Sequence, residues 1–258
     1  MKRVIGCLVL VVFSVAAIGW YLKEPNTFTF SVDMPPGFKY RAAVYYVPAP
    51  GETCKVETKD NKRPVFNEWW REDYKPDSEI TIRRTRKGCP LVVYNIKLRI
   101  YATYGKDRGD FGESAAQIVF KEKLDAEMYR EHFDAADVST FFGECRWTFR
   151  TVGGNRRLVK LLDCKGVNIS RPPLPGGPVA LYTLDQLPGK TVKMKINLAE
   201  KESPSMGDTW VEVLGGWKKC MGKEFKDPYA FCRGNDKDFS HFMMPDGRQC
   251  TIYPGCTE

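Results

Sequence analysis

Cys145-Arg-Trp-Thr-Phe-Arg-Thr-Val-Gly-Gly-Asn-Arg-Arg-Leu-Val-Lys-Leu-Leu-Asp-Cys164 decides the fold. A turn centred on Gly154-Asn155 sits at its middle, and the residues on either side alternate in polarity. Folding the segment about that centre sets Cys145 opposite Cys164, Trp147 opposite Leu162, Thr151 opposite Leu158 and Arg146 opposite Asp163. The cysteines, Trp147 and Leu162 then share one face, while Arg146 and Asp163 pair across the other. Turn chemistry, period-two alternation and cross-strand charge pairing agree on an antiparallel hairpin closed by a Cys145–Cys164 disulfide. A strict two-residue turn places the cysteines at the wider, hydrogen-bonded spacing. A four-residue turn at the same centre reverses that parity and keeps the partners.

The same period recurs along the chain. Thr27 to Met34 alternates, Pro35-Pro36-Gly37 turns, and Phe38 to Val47 reads as the returning strand. Val92 to Tyr104 is a long strand, with Tyr94, Ile96, Leu98, Ile100 and Ala102 on one face and Asn95, Lys97, Arg99 and Thr103 on the other. Ala115 to Lys121 pairs back onto it. Val192 to Leu198 and Thr209 to Leu214 alternate as well, and Met244-Pro-Asp-Gly-Arg248 is a hairpin turn. Leu124 to Phe133 is the one segment with apolar four-residue steps, and it predicts a short helix. The expected fold is an all-β, antiparallel, sandwich-like body with one short helix.

Arg171-Pro-Pro-Leu-Pro-Gly-Gly-Pro178 interrupts this pattern, because proline cannot donate to a ladder. It divides residues 24–170, a β-rich domain, from residues 179–258, a cysteine-rich domain or sub-domain. The run itself, 171–178, is a linker or a long crossover.

Eight of the nine cysteines follow the N-terminal segment. An even set of eight beyond an export segment suits an oxidising compartment. With Cys145–Cys164 assigned, Cys220–Cys232 and Cys250–Cys256 are the favoured local pairs among three possible connectivities, and Cys54–Cys89 remains.

Met1-Lys-Arg3 leads into Val4 to Leu22, 19 residues without charge. A helix of that length spans about 30 Å, the thickness of a bilayer core. Basic residues before it and a large domain after it place the N-terminus in the cytoplasm and the body in the periplasm, as a single-pass inner-membrane protein with residues 1–23 as signal anchor. Ser14-Val15-Ala16 offers a signal-peptidase site. A cleaved signal and a soluble periplasmic body is the alternative.

Formal net charge is +8, from 40 lysines and arginines against 32 acids. An extracytoplasmic body without a nucleic-acid motif leaves anionic lipids, cell-wall polymers or acidic proteins as the partners of that charge. There is no nucleophile elbow, no Cys-x-x-Cys and no His-x-x-x-His, and His132 and His241 are the only histidines. No catalytic, cofactor or metal site is therefore expected. The residues selected for partner binding are Trp69, Trp70 and Arg71, in an aromatic run flanked by charge, and Trp217, Lys218 and Lys219 after a Gly-Gly pair, because Trp and Arg dominate interface hot spots.

The N-terminal segment Met1–Lys23 and the Tyr45-Tyr46…Cys54 strand-then-cysteine stretch resemble the immunity partners of type VI secretion lipase effectors. That resemblance implies a periplasm-facing protein that neutralises a toxin by covering it, and it transfers no site residue. A structural component of an envelope machine and an envelope hydrolase with an unlocated carboxylate pair are the alternative expectations.

Overall fold

The hairpin is the spine of the molecule. In the computed structural model it runs up Val138–Val152 and down Arg157–Val167, joined by the four-residue turn 153–156. All four expected pairings occur in register. Cys145 and Cys164 are bonded, with Cα atoms 3.8 Å apart, the closer spacing that a four-residue turn gives. The structure describes residues 25–54, 66–70, 77–125, 131–167, 176–233, 235 and 237–256, with 66–70 and 77 described by their backbone alone.

In chain order the strands are β1 Thr27–Asp33, β2 Phe38–Pro48, β3 Phe66–Trp70, β4 Asp77–Thr81, β5 Arg83–Arg86 and β6 Cys89–Thr103. There follow β7 Phe111–Lys121, β8 Val138–Val152, β9 Arg157–Val167, β10 Val179–Thr183, β11 Thr191–Leu198 and β12 Ser203–Pro204. The last six are β13 Trp210–Val213, β14 Gly216–Cys220, β15 Phe239–Ser240, β16 Phe242–Met243, β17 Gln249–Cys250 and β18 Ile252–Pro254.

Two large sheets form a sandwich. One has the order β17-β16-β9-β8-β11-β1-β4, with β12 beside β8; the other is β10-β7-β6-β2-β3, with β5 beside β6. The core between them holds Phe28, Ile96, Ile118, Phe120, Trp147 and Met194. Their alternation with outward residues along each strand is the period-two pattern of the sequence. Close approach of the layers is built in at Gly112 on β7, where a Cβ would meet Trp147 Cζ3 at 2.5 Å and Leu162 Cβ at 2.7 Å.

Several expectations are corrected. The sheets are mixed, not purely antiparallel: β1 and β8 both run parallel to β11, and β10 runs parallel to β7. Alternation marks a half-buried strand in either direction, and the long excursions through the opposite sheet supply the crossovers that parallel pairing needs. β2 does not return beside β1. It crosses to the second sheet and pairs with β3 and β6. A register shift at Tyr45/Tyr46 turns Tyr94 outward, 43% exposed, while Asn95 is buried.

The expected helix at 124–133 does not appear in its described ends, which are irregular; residues 126–130 lie outside the described residues. Glu131 instead donates its backbone N–H to Leu181 O on β10 at 3.0 Å. The one helical turn among the described residues is a 3₁₀ turn, Leu184–Gln186, whose capping box joins Thr183 and Gln186.

β9 lies in the first sheet and β10 in the second, and residues 171–175 of the Pro/Gly run between them lie outside the described residues. Residues 179–198 are shared by both large sheets. Residues 210–254 add a small third sheet, β13-β14-β15 with β18 beside β14. A second core forms there, of Trp210, Phe242, Cys250 and Tyr253 on Phe149 and Leu158 at the tip of the hairpin. The β8–β9 hairpin thus presents Cys145 and Trp147 to the sandwich core and Phe149 to the second one.

The remaining disulfides are Cys54–Cys89, Cys220–Cys232 and Cys250–Cys256, as the sequence favoured. Among the described residues no helix is long and apolar enough to cross a membrane. Residues 4–22 lie outside them.

Candidate functional site

The loop Met221–Arg233 lacks regular structure, so its carbonyls need partners from elsewhere. Two buried cations supply them. Arg156, in left-handed backbone at φ +53° in the hairpin turn, inserts its guanidinium into the third sheet's loops. It donates to Cys220 O at 3.0 Å, Met221 O at 2.9 Å, Glu224 O at 3.2 Å and the Ser240 hydroxyl. Phe225 lies beneath it, with its ring centroid 4.8 Å away. Lys219 donates to Thr209 O at 3.0 Å, Ala230 O at 3.3 Å and Tyr229 O at 3.4 Å. Burial, followed by the Arg156 charge, lowers the Lys219 amine to about 8 against the opposing pull of Asp227.

Lys219 is only 3% exposed, so its assignment to partner binding is corrected: the cation closes a tripod of backbone oxygens. Trp217 is half-buried against the second core, 6.1 Å from the Phe149 ring. Lys218 lies half-buried with its amine 5.5 Å from the Phe239 ring. Trp69 and Trp70 fall on β3, opposite Ala43 and Ala42; Arg71 lies outside the described residues. The two groups selected from sequence belong to different sheets and do not form one site.

The outward face of the second sheet gathers a different set. β2 places Lys39 and Arg41 there, and β6 places Lys97 and Arg99; all four are exposed. The register sets Arg41 directly opposite Arg99, with Lys39 opposite Tyr101 and Lys97 opposite Ala43. Lys97 and Lys39 are therefore diagonal neighbours of the arginine pair, about 7–8 Å away between Cα atoms. Tyr45, Tyr101 and Phe111 are interleaved with these charges. Arg41 lies 5.7 Å from the Tyr101 centroid, Lys97 lies 5.3 Å from Tyr45, and the Tyr101 and Phe111 rings are 6.4 Å apart. Glu113 joins the group, 3.5 Å from Arg99. The face is closed at Ala43 and Asn95, which are 2% and 5% exposed, and open from Lys97 to Thr103.

Sequence reasoning placed Lys97 and Arg99 on a polar face and stopped there. The usable signal was a Lys-x-Arg spacing in each of two strands, which puts both cations of each pair on one side.

Other candidates are committed to structure. Asp110 is buried, and its carboxylate meets Arg157 at 2.9 Å while accepting the Asp107 N–H, tying the β6–β7 loop to β9. A cavity of about 300 Å³ lies between Gly153-Gly154 of the hairpin turn and Phe225–Pro228. Its charged residues include Arg156, which holds the four acceptors above, and Asp227, which accepts three backbone N–H groups. A cleft of about 460 Å³ beside Pro25 and Asn26 carries Arg83 and Lys123 against Glu122 and Asp185. Among the described residues no cluster of His, Cys, Asp or Glu has metal-binding geometry. No family model matches this chain, and neither a curated protein nor a solved structure matches it.

Proposed function

We propose that this chain is a periplasm-facing binding protein of the inhibitor or immunity kind. It lays the open basic-aromatic face of β2, β6 and β7 on a protein partner and covers that partner's working surface. The observation that carries this reading is the juxtaposition of four exposed cations and three aromatic rings on one sheet face. Tyr and Arg are the residue types that supply interface energy, and a sheet held by a two-layer core presents them with little loss of entropy on docking. Four disulfides support an oxidising compartment. In this reading Val4 to Leu22 anchors the chain in the inner membrane.

A photo-crosslinking residue in place of Tyr101 in the full chain, expressed in its source, tests the proposal. A discrete protein adduct is expected from position 101 and none from Leu161, 39% exposed on the first sheet. The adducted protein should lose its own activity when titrated with one equivalent of this chain. An adduct equally strong from both positions, or a partner that stays fully active, overturns the reading.

A further inference from the structure

The two exposed sheet faces handle charge in opposite ways. On the first sheet, cations meet acids across the ladder: Arg146 is paired with Asp163, and Lys165 with Glu144. On the second, Arg41 faces Arg99 directly. Like charges directly opposite one another destabilise an antiparallel pair, and Lys97 on a diagonal adds to that cost. Glu113 offsets part of it, through Arg99. A sheet that keeps this arrangement holds a site for negative charge, because an anion seated between the two guanidinium groups converts repulsion into charge-assisted hydrogen bonding.

We propose that Arg41 and Arg99 form a clamp for a carboxylate on an acidic loop of the protein partner, with Tyr101 and Phe111 as the apolar wall and Lys39 and Lys97 as flanking charge. This rests on the binding reading above and names the chemistry it recognises. Two features favour protein carboxylates over lipid phosphates. The rings around the clamp suit side-chain contacts, since aromatic residues and arginine are enriched where proteins meet. The face is a sheet surface, broad enough for a loop.

The test uses the full chain in phosphatidylcholine nanodiscs, with fluorescent poly-L-glutamate as the probe, read by anisotropy. Arg41→Gln/Arg99→Gln is expected to weaken binding at least tenfold. Arg146→Gln/Lys165→Gln, which removes the same charge from the other sheet, should stay within twofold of the parent. The clamp variant should melt at or above the parent's temperature, because it removes repulsion; this separates loss of binding from loss of fold. Equal effects from the two double variants overturn the clamp. So does flotation with phosphatidylglycerol vesicles that depends on Arg41 and Arg99 when poly-L-glutamate does not bind. The Tyr101 crosslink, repeated in Arg41→Gln/Arg99→Gln, separates the two ideas. An adduct that persists at parental yield refutes the clamp and leaves the binding reading standing, whereas no adduct in the parent chain refutes the binding reading itself.

Discussion

Arg156→Ala isolates the contact that holds the third sheet to the hairpin. The guanidinium serves three backbone carbonyls and one hydroxyl, and it is 3% exposed. Each buried acceptor left without a donor costs about 1–3 kcal/mol. The neighbouring cavity of about 300 Å³ admits water to part of the gap, which brings the expected loss to about 4 kcal/mol rather than the full sum. The loss should be local, because these acceptors belong to residues 220–240 and to none of the sandwich strands. Native-state hydrogen exchange reads it directly. The amides of Met221 and Cys232, bonded to Asp238 O at 3.0 Å and Asp208 O at 2.7 Å, should lose about a thousandfold in protection, at ~1.4 kcal/mol per factor of ten. Ile96 and Leu98 on β6 should change by less than tenfold. Arg156→Lys keeps the charge but not the planar fork, so it should fall between the two. Protection at Met221 within tenfold of the parent would show that the guanidinium contributes no net stability there. Equal losses at Met221 and Ile96 would show that the two cores open as one unit.

Other perturbations follow from the same contacts. Cys145→Ala/Cys164→Ala opens a link across 19 residues and should cost roughly 3 kcal/mol on the chain-entropy model, measured as a lower urea midpoint with a slope no shallower than the parent's, because the unfolded chain loses a constraint. Gly112→Ala drives a methyl into Trp147 and Leu162 between the layers and should cost about 1–3 kcal/mol, read as a fall in Tm; an unchanged Tm would mean that the sheets can separate freely there. Lys219→Met tests the lowered amine. The folded amine titrates at about 8 and the unfolded one near 10.5, so between those values the unfolded chain binds the extra proton and stability rises with pH. Urea unfolding followed by the fluorescence of Trp210, whose ring lies 5.7 Å from the amine, should show the parent gaining up to about 3 kcal/mol on the Met variant from pH 7 to 10.5. A flat difference would exclude the shift.

What the sequence made legible was local. Alternation located β1, β2, β6, β7 and β11, and the symmetry of Cys145–Cys164 about its turn specified a register of eleven pairs. Direction and neighbour were illegible for a physical reason: a period of two reports that one side of a strand is buried, and says nothing about which strand lies beside it. Hence β2 was read as returning along β1 although it belongs to the other layer. Lys218 and Lys219 look alike in sequence, yet one stays half-exposed and the other is buried, because three carbonyls of distant loops converge on the second. The two Lys-x-Arg pairs were visible separately. Their meeting depends on the Arg41–Arg99 register, which joins strands 58 residues apart in sequence.

The net charge of +8 is therefore a poor guide to function by itself. Part of it is internal: Arg156 and Lys219 act as donors to loop backbone and present almost nothing to solvent. Part is balanced at the surface, as in Arg146 with Glu144 and Lys165 with Asp163 on the first sheet, at 3.5 and 3.1 Å, where exposed pairs contribute little. Another part meets across β2 and β6, where the ladder sets Arg41 against Arg99. A uniformly basic surface would attract any polyanion and lose that attraction steeply with salt. A clamp of two guanidinium groups walled by Tyr101 and Phe111 adds geometry to the charge, and geometry is what discriminates one acidic loop from another. Specificity on this face should therefore follow Arg41, Arg99 and Tyr101, while the surrounding lysines govern the rate at which a partner arrives.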